Sequence, residues 1–277
     1  MLRALRLAGV VGTDGKWAAG SDTLVQMGDV VDRGPNSTAC YHLLHRLADE
    51  ASESGGAVVL LLGNHEVMNM QGDLRYVSKA ELRQHGGPTA WTSMFSAGSK
   101  GSLGHTVASL HVASALRRRT LFVHGGLHPF WIHNASYAGP EALNAAVRRL
   151  LLEERRSPLL RYAAVDGRRV PGPLWDRDYQ RQPEAEYCAR LAESLGAWGA
   201  RRAVVGHTPT PRGRPRTRCG GRLILADTGL SRWVKGSVGV TELYAERGAP
   251  DGDVFFARAL FEDAAEVLLC AGPCERT

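Results

Sequence analysis

The sequence has only five cysteines in 277 residues, Cys40, Cys188, Cys219, Cys270 and Cys274, an odd number at scattered spacings. Such usage argues against a disulfide framework and suits a reducing compartment. Cys270 and Cys274 stand close together but lack the partner pair that a zinc site needs. The longest purely apolar run, Ala57 to Leu62, is far below the roughly 18 residues of a membrane-spanning helix, so no membrane span is expected. Neither a Pro/Gly/Ser-rich linker, nor an internal repeat, nor a low-complexity tract divides the chain. One domain covering residues 1–277 is therefore expected.

The composition itself is that of a folded protein. Hydrophobic residues make up 44% and charged residues 22%, well away from the polar, highly charged range of disordered chains. Lys and Arg number 34 against 28 Asp and Glu, a net charge of +6. Arginines cluster at Arg117–Arg119, Arg148–Arg149, Arg155–Arg156, Arg201–Arg202 and in the alternating series Arg212, Arg214, Arg216 and Arg218. They either steer anionic partners or form ordinary solvated surface. No nucleic-acid module or aromatic platform accompanies them, so no nucleic-acid partner is expected.

Four short aliphatic runs end at or beside glycine and read as buried strands: Thr23–Met27, Ala57–Leu62, Thr120–Val123 and Ala203–Val205. Leu43, Leu44, Leu47 and Ala51 have helical spacing and predict a helix over Thr38–Ala51. Further helices are predicted around Lys79–Gln84, Glu141–Glu154 and Glu184–Leu195. Strands over Arg222–Ala226, Val238–Tyr244 and Val254–Leu260 are expected to pair antiparallel, and Gly98–Gly104 reads as a flexible turn.

Each of the four glycine-terminated strands is followed by a loop with ligand-type side chains. These loops are Gly28-Asp29-Val30-Val31-Asp32-Arg33-Gly34, Gly63-Asn64-His65-Glu66, His124-Gly125-Gly126 and Gly206-His207-Thr208. Strand ends in α/β sheets bring distant loops to one crevice. Carboxylate, amide and imidazole groups without thiolates suit manganese, iron or zinc at an open hydrolytic site. A carboxylate such as Asp29 can bridge two cations, and a pair about 3.5–4 Å apart acidifies a shared water and holds a phosphate ester for in-line attack. Arg33 offers a planar fork to a phosphoryl group. His65, oriented by Asp32, is suited to protonate a leaving alkoxide. Asp227-Thr228-Gly229 follows a strand and is a candidate to approach the same cleft.

These motifs resemble the signatures of the phosphoprotein phosphatase family of metallophosphoesterases, and their surroundings LVQMGDVVDRGPNS, LLGNHEVMNMQGDLRYV, GPLWDRDY and LADTGLSRW are similar to its Shewanella-like branch. The likeness runs from about Leu2 to Tyr244. It implies an α/β fold, a calcineurin-like β-sandwich flanked by helices, with two divalent metal ions at the strand ends, manganese or alternatively iron or zinc. It implies Asp29 as bridging ligand, with Asn64, His124 and His207 completing one metal site. It implies His65 and Asp32 as the acid pair, Arg33 and Asn64 as phosphate contacts, and Arg177 as a second phosphate-binding arginine. The implied substrate is a phosphorylated protein, on serine or threonine and also tyrosine. Specificity is expected from a variable helical insert over residues 69–116.

The family pattern also opens with a strand and a Gly-Asp-x-His-Gly loop, which this sequence does not contain; Leu2–Val11 resembles the helix that follows it. Asp14 and Asp22 read as turn residues and not as substitutes. The expectation is an open sheet edge and a first cation with one protein ligand. Three readings stand: an active phosphatase whose opening lies upstream of this sequence, a phosphoesterase for small molecules such as dinucleoside polyphosphates, or a short form that binds phosphorylated partners through Arg33 and Arg177 without turnover. The cytoplasm is the expected location, or an organelle if a leader precedes Met1. Nothing in the sequence indicates the oligomeric state.

Overall fold

The computed structural model describes residues 1–245, 255–263 and 265–271. Its strands, in order, are β1 (Thr23–Gln26), β2 (Ala57–Leu60), β3 (Ser114–Arg117), β4 (Thr120–Val123), β5 (Tyr162–Val165), β6 (Arg168–Pro171), β7 (Arg202–Val205), β8 (Arg216–Arg218), β9 (Leu223–Leu225), β10 (Gly239–Ala245), β11 (Phe255–Phe261) and β12 (Val267–Ala271). The helices are α1 (Leu2–Leu7), α2 (Ser37–Glu53), α3 (Asn64–Met70), α4 (Lys79–Gln84), α5 (Pro88–Phe95), α6 (Leu103–Leu110), α7 (Pro129–His133), α8 (Pro140–Leu152), α9 (Asp178–Arg181) and α10 (Glu184–Ala197). No helix among the described residues is long and apolar enough to cross a membrane. Val254, the expected start of the eleventh strand, and Cys274 lie outside the described residues.

The fold is mixed α/β. Its largest sheet has the order β3-β4-β7-β9-β8, with β4, β7 and β9 parallel and both outer strands antiparallel to their neighbours. β1 and β2 form a separate parallel pair. Leu61, just past β2, bridges Val112, and Ser114 pairs with Val123 at the end of β4. The carboxyl ends of β2 and β4 therefore meet on either side of residues 112–114, which is what brings their loops together. β10, β11 and β12 make an antiparallel sheet.

The period-two alternation of strands decides which side chains face which layer. Leu121, Val123, Ala203, Val205, Leu223 and Leu225 join the core formed with α5, α6, α8 and α10. The intervening Phe122, Val204 and Ile224 face the other way and pack with Ala257 and Leu243 of the antiparallel sheet. Two sheets thus enclose one core and helices cover the opposite face, each buried Leu, Ile, Val or Phe contributing about 1.5–3 kcal/mol. A third cluster of Leu5, Val10, Val11 and Leu47 seats α1 and α2 against Leu24 and Val58.

Three expectations are corrected. Cys188 and Cys219 are joined in a disulfide with Cα atoms 5.4 Å apart, fastening α10 to the turn before β9. A pairing across 31 residues depends on tertiary placement, so cysteine spacing did not reveal it, and the count no longer argues for a reducing compartment. The strand at residues 222–226 pairs with β8 and, in parallel, with β7, and not with β10, because its Ile224 is wanted between the two sheets. The turn after Gly98 ends at Ser102, whose hydroxyl accepts from the His105 N–H and so starts α6. Among the described residues β1 has β2 as its sole strand partner.

Candidate active site

The loop after β1 carries an unusual backbone. Gly28, Asp29, Asp32 and Arg33 all have positive φ, at 90°, 56°, 80° and 64°, and His207 in the loop after β7 has φ 66°. Side-chain-bearing residues held in this region cost of the order of 1–3 kcal/mol each and persist only where surroundings enforce them. A Cβ on Gly28 would stand 2.6 Å from the Gly63 nitrogen, so glycine is required where the two loops touch.

Glu66 supplies that enforcement. Fully buried at the third position of α3, it accepts from the backbone N–H groups of Asp29 (2.9 Å), Val30 (2.8 Å) and Gly63 (2.7 Å) and from the Tyr41 hydroxyl (2.8 Å). One carboxylate thus locks the loop after β1, the start of α3 and helix α2 together. A glutamate reaching back to the helix start is half of a capping box. Gly63 followed three residues later by Glu66 is the local sign of this role in the sequence.

Around this frame the ligand-type side chains converge. His124 Nε2 lies 3.2 Å from Asp29 Oδ2 and 3.2 Å from Asn64 Oδ1, while Nδ1 faces the Met27 carbonyl at 2.6 Å. The rings of His124 and His207 are 4.9 Å apart, and one ligand atom from each of Asp29, His124 and His207 lies within 4.8 Å of the others. His207 Nε2 accepts from Arg177 Nε at 2.7 Å, whereas its buried Nδ1 has no hydrogen-bond partner among the described residues. The Tyr179 hydroxyl donates to the Gly206 carbonyl at 2.9 Å and steadies this loop.

The electrostatics follow from that crowding. Burial opposes charge on Asp29, yet His124, then His65 and His207, hold its carboxyl well below the ordinary range. Burial likewise disfavours a charged His124, but Asp29 and the Met27 carbonyl outweigh it and push its pKa up to about 9. His207 is pushed down to about 2 by burial and by the neighbouring His124 and Arg177, which keeps its imidazole neutral. A carboxylate oxygen, an amide oxygen and two imidazoles facing one another, with an orphaned ring nitrogen on one of them, fit a divalent cation. The Met27 carbonyl is the kind of outer partner that fixes the tautomer of a ligating histidine.

A second group adjoins the first. His65 Nδ1 is 2.5 Å from Asp32 Oδ2, and His65 Nε2 is 4.0 Å from Asp29 Oδ2. Burial lowers the His65 pKa, but the Asp32 hydrogen bond and the Asp29 charge prevail and raise it. Asn69 Nδ2 donates to the other Asp32 oxygen at 3.0 Å, and Trp91 Nε1 in turn donates to Asn69 Oδ1 at 2.7 Å. Asn69 lies one helical turn after His65, a relation readable in sequence; Trp91 was not. The His65 ring lies 4.9 Å from that of Tyr76, over which the Arg33 guanidinium sits at 5.1 Å. Arg33 also donates its backbone N–H to the Tyr76 carbonyl at 2.8 Å. Residues 69–116 therefore supply Asn69, Tyr76 and Trp91 to the site. Asp227 is held near it electrostatically: burial raises its pKa, against the pull of the Gly229 N–H, His124 and Arg33.

All eight residues singled out in the sequence, Asp29, Asp32, Arg33, Asn64, His65, His124, Arg177 and His207, adjoin this one region. A calcineurin-like phosphoesterase model matches residues 8–211. The chain belongs to that family. This phosphoesterase is 34% identical over 233 residues to an uncharacterized protein of Schizosaccharomyces pombe, covering 83% of this chain and 68% of the relative. It is 27% identical to Shewanella-like protein phosphatase 2 of Arabidopsis thaliana, across 83% of this chain and 67% of that protein. Among solved structures it resembles the cold-active protein-tyrosine phosphatase of a psychrophilic Shewanella species, at 25% identity and a TM-score of 0.75 over 97% of this chain and 76% of that one. The phosphoesterase is accordingly a hydrolase of phosphate esters, of a family that implies divalent metals.

Proposed function

We propose that this phosphoesterase removes phosphate from phosphorylated proteins, on tyrosine as well as on serine or threonine. The observation that carries the reading is the convergence of Asp29, Asn64, His124 and His207 beside the His65–Asp32 pair. The tyrosine part draws on the similarity to a protein-tyrosine phosphatase and on the exposed Tyr76 ring beside His65.

Asp29, Asn64, His124 and His207 would hold one divalent cation, manganese or alternatively iron or zinc, and Asp29 is the ligand that two cations would share. Bound there, such ions supply Lewis acidity and an acidified water. The rest of the chemistry belongs to the chain. Arg33, carried on Tyr76, and Arg177, beside His207, offer planar donor forks to the phosphoryl oxygens. Asn64 turns its oxygen to His124 and leaves Nδ2 with, among the described residues, only the Met68 sulfur at 3.8 Å, a weak acceptor that a phosphate oxygen displaces. Asp32 accepts from Nδ1 of His65, so the protonated ring presents Nε2–H to the leaving oxygen, and transfer of that proton completes ester cleavage.

Hydrolysis of tyrosine- and serine-phosphorylated peptides is to be measured beside that of a dinucleoside polyphosphate, with manganese added. Turnover of the peptides in preference to the dinucleotide is the expected result. Exclusive turnover of the dinucleotide, or tight phosphopeptide binding with no turnover at saturating manganese, would overturn the reading.

A further inference from the structure

Beside the site lies a cavity of about 240 Å³ lined by Gln71, Asp73, Arg75, Arg156, Ser157 and Arg161. Three guanidinium groups face it against a single carboxylate, an excess of positive charge. Asp73 is engaged by Arg75 at 2.8 Å and lies 4.0 Å from Arg161, and Arg156 has no carboxylate partner among the described residues. Structural ion pairing would call for acids in proportion, so this pocket is short of negative charge.

Its position ties it to the catalytic groups from two sides. The Arg161 guanidinium lies 5.8 Å from the Trp175 ring, which is 6.2 Å from the His207 ring. Arg75 directly precedes Tyr76, whose ring packs on His65 and under Arg33. Two successive contacts of this size separate pocket and centre, a span that an extended peptide at about 3.3 Å per residue crosses in three or four residues. We propose that the Arg75–Arg156–Arg161 pocket is a substrate subsite for an anionic group, the side chain of an acidic or a second phosphorylated residue three or four positions from the phosphate being removed. This rests on the phosphoprotein reading above and deepens it. Arginine forks suit both carboxylate and phosphate, and a basic recess beside the scissile group orients a flexible segment at little ordering cost.

The test compares four substrates at low ionic strength: a small aryl phosphate, and phosphotyrosine peptides with alanine, aspartate or phosphoserine three and four residues away. The aspartate and phosphoserine peptides are expected to show kcat/KM about three- to tenfold above the alanine peptide, mostly through KM, and the preference is expected to fade at high salt because exposed charges are screened. Comparing those two arms tells which anion the pocket takes. Arg156→Glu, a residue outside the catalytic centre, is expected to abolish the preference while leaving aryl phosphate turnover unchanged. Equal kcat/KM for acidic and neutral peptides, or a preference that survives Arg156→Glu, overturns the subsite while aryl phosphate hydrolysis stands. If no substrate turns over, the phosphoprotein reading fails, and direct binding of the same peptides decides the subsite by the same preference and its loss in Arg156→Glu.

Discussion

The catalytic centre and the guanidinium pocket beside it are both assemblies of charge, yet they are built on opposite plans. In the centre Asp32, His65, Glu66, His124 and His207 are buried, and the acid pair is held through successive partners: Trp91 fixes Asn69, Asn69 fixes Asp32 and Asp32 fixes His65. In the pocket the arginines reach into water from loop positions, and their side chains at Arg75 and Arg161 are 62% and 54% exposed. Buried charges act singly and at a fixed distance, so each is worth much and its loss leaves neighbours unpaired. Exposed charges act by their sum and are weakened by salt. Fold stability and chemistry should therefore be sensitive to the first region, and substrate preference to the second.

The comparison breaks most visibly at His65. His65→Ala removes a proton donor aimed past Asp29, and phosphopeptide hydrolysis is expected to fall by about 10²–10⁴-fold, with a lowered unfolding midpoint because the buried Asp32 carboxylate loses a partner. A loss of only a few-fold, read from steady-state rates, would mean that the leaving group is protonated by something else. Next in size is Glu66→Ala. The substitution strips partners from the half-buried backbone donors of Asp29 and Val30, from the buried Gly63 N–H and from the buried Tyr41 hydroxyl, the buried groups costing about 1–3 kcal/mol each if left unmade. Chemical denaturation should show a loss of several kcal/mol, whereas Arg156→Glu should leave the midpoint where it is.

The smallest expected effect sharpens the contrast by pH. His45 and His111 face each other through Nε2 atoms 3.1 Å apart, and both rings pack on that of Tyr41. Burial, then His45, pushes the His111 pKa down to about 3, and burial also lowers that of His45. Between about pH 3 and 6.5 the unfolded chain therefore binds more protons at His111 than the folded one, and the lowered His45 acts in the same direction. Stability must rise with pH across that window, by up to about 1.4 kcal/mol per unit from His111, and is lost as pH falls. Thermal melts of the protein and of His111→Gln at pH 5 and 6.5 check this; the variant should show the shallower dependence.

Much of this is legible in the sequence. The glycine-terminated aliphatic runs are β1, β2, β4 and β7, and helices lie at residues 37–53, 79–84, 140–152 and 184–197 close to where spacing put them. These features are local, set by side-chain period and by glycine. What escaped notice was whatever depends on two distant segments meeting. Glu66 looked like one more polar residue of a motif until it was found accepting from three segments. Trp91, 22 residues after Asn69, offers no periodic signal for their hydrogen bond. Cys188 and Cys219 were separated by a helix, a strand and a hairpin arm before their sulfurs met.

By itself, then, the sequence determined which residue types stand at the ends of which strands, and hence the chemistry on offer: oxygen and imidazole donors, two arginines and a histidine with a carboxylate to orient it. Only the tertiary structure decided that β2 and β4 end on either side of residues 112–114, that the loop after β1 is forced into left-handed backbone by Glu66, and that Arg75, Arg156 and Arg161 share one recess. The physical reason is range. Propensity and periodicity act over a few residues, whereas a site of opposed charges exists only when burial and backbone hydrogen bonds hold segments a hundred residues apart against their own repulsion.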